Sequence, residues 1–253
     1  MRKLIIAGNW KMHKTPTEAK EFVQGLAKRV GQTEPLCEII IAPPFLAVPA
    51  AVQAATGTPI QVSAQNLYWE DQGAFTGEVA GPMIRDAGCT HVIIGHSERR
   101  QYFGETDETV NKRIVAALRS ELIPIFCLGE MLAERERGET FDVVRRQLSG
   151  GLAGIELSEP RRFIIAYEPV WAIGTGKTAT PEQAQEVHAF LRSEVASSLG
   201  QDFAEQVRIL YGGSVKPANT PGLMSCPDID GGLVGGACLK IDDFLGIIGA
   251  ATS

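Results

Sequence analysis

An apolar segment of four to six residues, followed by a helical pattern, recurs eight times along this chain, and this repeat constrains the fold more than any other feature. The segments begin about thirty residues apart, which is the size of one strand-helix unit. The predicted strands are 4–7, 38–42, 60–64, 91–95, 123–128, 163–167, 207–211 and 229–234. The predicted helices follow them at 15–31, 45–55, from about 80, 107–119, 131–148, 181–199, 217–224 and 241–250.

The predicted strands are apolar without alternation, as in Val92, Ile93 and Ile94, which is what a parallel sheet buried on both faces requires. Eight units without a break in composition predict an α/β fold in which residues 1–253 form a single domain. We expect a closed (β/α)8 barrel of eight parallel strands ringed by helices, and an open doubly wound sheet is the alternative. The length of 253 residues lies within the range of one such barrel.

Composition excludes several classes of protein. The formal charge of -6 and the lack of a basic run argue against a nucleic-acid partner. No apolar run approaches the length of a membrane span, and the one near the start is too short for a signal peptide. The five cysteines are odd in number and form no CxxC pair, which indicates reduced thiols. We therefore expect a cytoplasmic protein.

The residues that can carry chemistry fall at the ends of the predicted strands. In a barrel the carboxyl ends of the strands lie on one face, where catalytic groups gather. The residues at these ends are Asn9, Lys11, Gln65, Asn66, His96, Cys127, Glu130, Glu168, the run 212–214, Gly235 and Gly236. We expect an amine, an imidazole and a carboxylate around one cavity with a rim of small residues.

The segment 166–177, AYEPVWAIGTGK, follows the sixth predicted strand and has an unusual composition. The proline after Glu168 removes a backbone donor and favours a sharp exit from the sheet. The segment is first too apolar for a solvated connection and then glycine-rich. It is interpreted either as a lid beside a reactive carboxylate or as a loop tucked against the core. The candidate lid residues are Pro169, Val170, Trp171, Ala172, Ile173, Gly174, Thr175, Gly176 and Lys177.

Other motif interpretations find little support. The GTGKT run at 174–178 lacks the first glycine of a P-loop, because Trp171 holds that place. The spacing of Gly174, Gly176 and Ala179 fits a dinucleotide turn, but no acidic residue follows at the required distance. The GHSER run lacks the second glycine of a nucleophile elbow. The histidines and cysteines have no zinc-ligand spacing, so we predict no metal.

Five motifs together resemble the triosephosphate isomerase family. They are GNWKM at 8–12, IIGHSERR at 93–100, AYEPVWAIGTGK at 166–177, YGGSV at 211–215 and GGLVGGACL at 231–239. The likeness covers essentially the whole chain in the right order. It implies a TIM barrel that interconverts dihydroxyacetone phosphate and D-glyceraldehyde 3-phosphate in glycolysis and gluconeogenesis, without cofactor or metal.

The resemblance implies a role for each matching residue. Glu168 is expected to be the base that moves a proton between two substrate carbons. His96, before a run that can begin a short helix, is expected to donate a hydrogen bond as neutral imidazole. Lys11 is expected to hold the anionic substrate and stabilise the enediolate. Asn9 would position substrate oxygen, or merely cap the chain. Glu98 would pair with Lys11 or shuttle a proton, and a purely structural ion pair is the alternative.

The substrate phosphate requires backbone amides that glycine allows to approach closely. Gly174, Ser214, Gly235 and Gly236 match the phosphate-binding positions of the family. The family therefore implies that the sixth, seventh and eighth loops form one phosphate site.

The loop 65–78 is longer than usual and carries Tyr68, Trp69 and Phe75, so it either folds on itself or buries those rings elsewhere. In the family this loop docks into a second subunit, with the residue matching Thr76 near the partner's site. The resemblance implies a homodimer, and a monomer with a self-packed loop is the alternative.

Two cysteines lie near the predicted site. Cys127 matches a family position near the base, and Cys238 stands where a small residue is expected; both are interpreted as structural.

A noncatalytic phosphosugar-binding or interaction protein on the same barrel is the alternative function. The presence of both Glu168 and His96 favours the isomerase, because a binding protein needs no acid-base pair.

Overall fold

The computed structural model describes residues 2–31, 36–173 and 178–252. Eight parallel strands form a closed barrel in sequence order. The strands are β1 Ile5–Asn9, β2 Glu38–Ala42, β3 Ile60–Ala64, β4 His91–Ile94, β5 Ile123–Leu128, β6 Ile164–Tyr167, β7 Arg208–Tyr211 and β8 Gly231–Val234. The pairing of Ile5 with Gly231 joins β1 to β8 and closes the sheet. The predicted α/β barrel is therefore confirmed, and the open doubly wound sheet is wrong.

Helices in the described ranges surround the barrel. They are α1 Pro16–Val30, α2 Val48–Ala55, α3 Gly81–Asp86, α4 Ser97–Tyr102, α5 Asp107–Arg119, α6 Leu132–Glu136, α7 Thr140–Gly151, α8 Pro181–Leu199, α9 Gln201–Gln206, α10 Thr220–Met224 and α11 Ile241–Ala251. Short 3-10 turns lie at Phe45–Ala47, Pro160–Arg162, Val170–Ala172 and Gly236–Leu239.

The first helix shows how local sequence specifies an element. The Thr15 side chain accepts a hydrogen bond from the backbone of Glu18, whose carboxylate accepts one from the backbone of Thr15. This reciprocal pair satisfies two amides that the first turn leaves unpaired. After α1, Gly31 adopts a φ of 81° and ends the helix as predicted. Residues three and four apart on α1, including Phe22 and Leu26, are buried against the barrel.

Some predicted boundaries are wrong. The helix predicted at 131–148 is two helices, α6 and α7, separated at Gly138, which has a φ of 75° that interrupts a helix. The helix predicted from 217 begins at Thr220. Strand β1 extends to Asn9, so this residue lies in the strand rather than after it.

The core has two layers because successive strand residues point to opposite faces. The inner layer fills the barrel, and its apolar side chains come from every strand except β3, whose apolar residues belong to the outer layer. Its members are Ile5, Ala7, Ile40, Ala42, Ile93, Ile125, Cys127, Ile164, Ala166, Leu210 and Leu233. The outer layer includes Ile6, Ile39, Ile41 and Val92 and packs against the helices. The packed interior makes the barrel a rigid support for residues at its carboxyl-terminal face. In the part of the chain described here, no helix is long and apolar enough to cross a membrane.

Candidate active site

A cavity of about 250 Å³ opens at the carboxyl ends of the strands. It brings together residues that the sequence placed at separate strand ends. Its lining comprises Asn9, Lys11, His96, Glu168, Ala172, Ile173, Gly212, Gly213, Ser214, Val215, Lys216, Leu233, Gly235, Gly236 and Ala237. Of the predicted catalytic residues, Glu98 is outside this lining and is connected to it through the ammonium of Lys11, as described below.

Glu168 follows β6 and is 1% exposed. Its Oε2 accepts a hydrogen bond from the backbone N–H of Ser97 at 2.9 Å, and its Oε1 lies 3.0 Å from Nε2 of His96. Burial raises the pKa of this carboxyl, but His96, the Ser97 amide and the charge of Lys11 together outweigh burial. The pKa of Glu168 therefore lies below its ordinary value, and the group is ionised at neutral pH.

Two glycines make room for Glu168. A Cβ at Gly129 would overlap the Glu168 carbonyl oxygen, and a Cβ at Gly212 would lie 2.8 Å from Cγ of Glu168. Because both positions are crowded by Glu168 itself, a larger residue at either one would displace Glu168, through its backbone at Gly129 and through its side chain at Gly212.

His96 caps the N-terminus of α4. Its Nδ1 accepts a hydrogen bond from the backbone N–H of Glu98 at 3.2 Å, while Nε2 faces Glu168. The predicted short helix after His96 is thus confirmed. Burial lowers the pKa of His96, but the charge and hydrogen bond of Glu168 and the charge of Glu98 raise it. With Glu168 against the ring, the pKa of His96 lies above its ordinary value.

Lys11 sits in a strained backbone conformation with a φ of 52°. Its N–H donates to Oδ1 of Asn9 at 2.9 Å, and its carbonyl accepts from Nε2 of Gln65 at 2.8 Å. Its Nζ lies 2.6 Å from Oε1 of Glu98. A positive φ in a residue other than glycine costs of order 1–3 kcal/mol, so these contacts hold Lys11 in place against that cost.

The first residues of the candidate lid are anchored by Glu130, whose side chain is fully buried. Oε1 of Glu130 accepts a hydrogen bond from Nε1 of Trp171 at 2.9 Å. The backbone carbonyl of Glu130 accepts a hydrogen bond from the N–H of Val170 at 3.1 Å. The hydroxyl of Tyr167 also donates to Glu130. The turn Val170–Ala172 therefore packs on the barrel next to the cavity.

The candidate lid extends past this anchored turn. Ala172 and Ile173 line the cavity, and Pro169 lies under the seventh loop, 3.0 Å from the place a Cβ would occupy at Gly213. Gly174, Thr175, Gly176 and Lys177 lie outside the described residues, so the lid and the phosphate role of Gly174 stay predictions.

The predicted rim residues Ser214, Gly235 and Gly236 line the cavity together. Asn219 stabilises the seventh loop by donating from Nδ2 to the Ser214 carbonyl at 2.9 Å. A Cβ at Gly236 would meet no heavy atom within 4 Å, so this backbone faces open space. A ligand can therefore approach this rim closely.

The two cysteines near the site are buried. Burial raises the pKa of the Cys127 thiol well above its ordinary value, and it raises the pKa of Cys238 to about 12. Both thiols are therefore protonated at neutral pH and poor nucleophiles. Cys238 packs against Gly8, where an added Cβ would lie 2.9 Å from Cβ of Cys238.

Among residues 2–31, 36–173 and 178–252, no three histidine, cysteine or acidic side chains are grouped so as to hold a metal ion.

The loop 65–78 folds on itself. The Tyr68 ring stacks on Trp69 at a centroid distance of 4.1 Å and contacts Phe75 at 4.5 Å. Thr76 is exposed on this loop. A second cavity of about 260 Å³ lies beside the first and shares Asn9, Lys11 and His96 with it. Gln65 and Asn66, the first residues of this loop, line the second cavity.

Sequence reasoning missed the residues that hold the predicted ones in place. Ser97 binds Glu168, Gln65 binds the backbone of Lys11, and Glu130 binds Trp171. Gln65 and Glu130 lie at predicted strand ends without a predicted role, and Lys216 is not among the predicted site residues. The strand-end position was the available signal for the first two.

The fold and the cavity together define a (β/α)8 barrel with a small-molecule site at the carboxyl ends of its strands. The family model described as triosephosphate isomerase matches residues 4–251. A relative from Moorella thermoacetica named triosephosphate isomerase is 58% identical over 248 residues, which are 98% of each chain. Relatives of the same name from Geotalea uraniireducens and Chloroherpeton thalassium are 57% and 52% identical, with coverage of at least 98% of each chain. The chain belongs to the triosephosphate isomerase family, and it is an isomerase.

Proposed function

We propose that this enzyme interconverts dihydroxyacetone phosphate and D-glyceraldehyde 3-phosphate through an enediolate, in glycolysis and gluconeogenesis in the cytoplasm. The observation that carries the proposal is the convergence of Asn9, Lys11, His96 and Glu168 on one cavity whose rim contains glycines. A carboxylate, an imidazole and an ammonium are the groups that proton transfer next to a carbonyl requires. The cavity volume of about 250 Å³ suits a small substrate.

Glu168 is proposed as the base. Its ionised carboxylate is buried, and both of its oxygens are engaged, by Ser97 and by His96. It must give up at least one of these contacts to reach a substrate proton. Ile173 and the rest of the lid would exclude water from the carboxylate. The carboxylate would then be a stronger base than it is in solvent.

His96 is proposed to donate a hydrogen bond from Nε2 to the substrate carbonyl as neutral imidazole. The N–H of Glu98 can only donate, so Nδ1 must keep its lone pair, and the ring proton belongs on Nε2. Glu168 is the main cause that raises the pKa of this ring. Its movement toward substrate would remove that effect, and burial and Lys11 would then favour the neutral ring.

Lys11 is proposed to stabilise negative charge on the substrate, with Asn9 holding its backbone. The ion pair of 2.6 Å with Glu98 fixes the ammonium at the cavity. This pairing supports the electrostatic role of Glu98 more than the proton shuttle, because the carboxylate is engaged by the ammonium. Ser214, Gly235 and Gly236, with Gly174, are proposed to bind the phosphate through backbone amides.

A coupled assay with D-glyceraldehyde 3-phosphate tests the proposal. The parent should turn over, and Glu168→Gln, which keeps the size and removes the base, should lower kcat by about 10²–10⁴-fold. Glu156→Gln, an exposed residue in the connection that leads from α7 to the amino end of β6, is the control and should match the parent. A parent that binds phosphosugar without turnover would favour the noncatalytic alternative, and full activity of Glu168→Gln would refute the assigned base.

We further propose a homodimer in which the loop 65–78 of each subunit enters the second cavity of the other. Met12, Phe45 and Phe103 line this cavity and leave 93%, 36% and 67% of their surface exposed. Asn66 in the same lining has a buried Oδ1 without a partner among the described residues. Exposed apolar groups and an unpaired buried oxygen are features of an interface that lacks its partner.

Sedimentation of dilute protein tests the assembly. A dimer mass is expected, and Thr76→Arg at the proposed contact should shift the protein toward monomer and lower activity. Glu70→Arg, an exposed position on the same loop, is the control for the charge itself. Fully active protein at monomer mass would leave a monomer with a self-packed loop as the correct interpretation.

A further inference from the structure

The cavity contains a second lysine for which the proposed reaction has no assigned role. Lys216 lines the cavity beside Ser214, Gly235 and Gly236, the residues of the proposed phosphate site. It belongs to the connection between β7 and α10, and its side chain is exposed.

The backbone of Lys216 is held firmly. Its N–H donates to Oδ1 of Asn219 at 2.7 Å, and its carbonyl accepts from Oγ1 of Thr220 at 2.8 Å. The same Asn219 also binds the carbonyl of Ser214. One side chain thus ties Lys216 to the phosphate rim, and the root of the lysine has a defined place next to that rim.

The two lysines of the cavity differ in their charge environment. The ammonium of Lys11 is neutralised in part by Glu98 at 2.6 Å. The ammonium of Lys216 has no hydrogen-bond or ion-pair partner within 2–31, 36–173 and 178–252. The cavity also contains the carboxylate of Glu168, and the whole chain has a formal charge of -6. A doubly charged anion is therefore repelled by the chain as a whole, and the ammonium of Lys216, unpaired among the described residues, supplies positive charge at the cavity.

We propose that Lys216 attracts the phosphate dianion to the cavity and strengthens the preference of the enzyme for phosphorylated over unphosphorylated substrate. The inference rests on the proposed function for its substrate class. A lysine is a flexible point charge on a four-carbon stem, so from this position it can follow an anion from the entrance to the glycine rim. Lys216 is thus a specificity-determining residue, whereas Lys11 acts at the reacting atoms.

Steady-state kinetics with two substrates test this role. At an ionic strength of about 10 mM, Lys216→Gln should lower kcat/KM for D-glyceraldehyde 3-phosphate about three- to tenfold, because one unit charge near a dianion is weakly screened there. The ratio of kcat/KM for this substrate to that for unphosphorylated glyceraldehyde should fall by the same factor. The loss should shrink at about 500 mM salt, and Lys216→Arg should stay within about twofold of the parent.

Lys20→Gln is the matched control, because it removes the same charge from the exposed face of α1. The inference is overturned if Lys216→Gln behaves like Lys20→Gln at low salt. The inference is also overturned if Lys216→Gln lowers kcat/KM equally for both substrates, since that would indicate a structural role.

A binding measurement separates this inference from the proposed function. Calorimetric titration with glycerol 3-phosphate should show an affinity about three- to tenfold weaker for Lys216→Gln than for the parent at low salt. If the parent fails to isomerise but the variant still shows this weaker binding, the proposed function fails and the anion-binding role stands. Equal affinities of parent and variant refute the role of Lys216 whatever the parent's activity.

Discussion

Acidification should destabilise this barrel through two histidines that are buried in their neutral form. His188, on α8, donates from Nδ1 to the carbonyl of Asp228 at 3.2 Å, and burial lowers its pKa to about 3. His91, on β4, lies 2.7 Å from Oγ1 of Thr90, and burial together with the charge of Arg208 lowers its pKa to about 3. Nε2 of each ring has no hydrogen-bond partner among the described residues.

The sign of the effect follows from proton uptake. An unfolded histidine has a pKa of about 6.5, so below that pH the unfolded chain binds a proton that the folded chain excludes. Stability is complete above pH 6.5 and is lost progressively as the pH falls toward 3. Between pH 7 and pH 4.5 each histidine should lower the free energy of unfolding by about 2.5 kcal/mol, and the pair should lower it by about 5 kcal/mol. This loss is comparable with the whole stability of many domains, which is about 5–15 kcal/mol.

Urea unfolding at pH 7 and pH 4.5, followed by far-ultraviolet circular dichroism, measures the effect. The comparison uses the parent, His91→Gln, His188→Gln and the double variant at one protein concentration, because the stability of the proposed dimer would depend on concentration. Glutamine does not titrate, and the carboxylates contribute equally in all four proteins. On acidification the free energy of unfolding of the parent should fall by about 5 kcal/mol more than that of the double variant. For each single variant this excess should be about half as large.

Lower stability of the variants at pH 7 would not contradict the reasoning, since each lacks an imidazole contact. A double variant that loses as much stability between the two pH values as the parent would refute it. Proton uptake by the two histidines would then not be linked to unfolding.

Three further measurements test the packing of the barrel. Gly129→Ala should lower the free energy of unfolding by at least about 2 kcal/mol and also reduce activity, because the new methyl overlaps the Glu168 carbonyl. Gly249→Ala on α11, where a Cβ meets nothing within 4 Å, should be neutral or stabilising in the same urea titration. Titration of the native thiols with an aromatic disulfide should modify Cys226 first, since the other four cysteines are buried. Rapid reaction of a second thiol would contradict the structure. A fast phase that persists in Cys226→Ser would contradict it as well.

The pattern of apolar residues predicted the strands and helices because that pattern arises from neighbouring residues of the chain. An apolar run that must be buried on both faces specifies a parallel strand wherever it occurs, and eight such runs allow few arrangements. The boundaries were less predictable. The split at Gly138 depends on a φ of 75°, which a glycine permits but does not require.

The candidate site was predictable in part for a related reason. Glu168, His96 and Lys11 lie at strand ends, and a barrel gathers all strand ends on one face. Their assigned roles came from the resemblance of motifs and stay predictions, although the family is confirmed over residues 4–251.

The sequence alone therefore determined the class of fold, the family and the face on which the chemistry lies, because each follows from local patterns or short motifs. Only the tertiary structure decided which groups support those residues. The Ser97 amide reaches Glu168 across 71 positions, and Gln65 reaches the backbone of Lys11 across 54. Whether Lys216 has a partner likewise depends on which acids lie near it in space, and among the described residues it has none. Such contacts form when the barrel closes, and no periodicity along the chain encodes them.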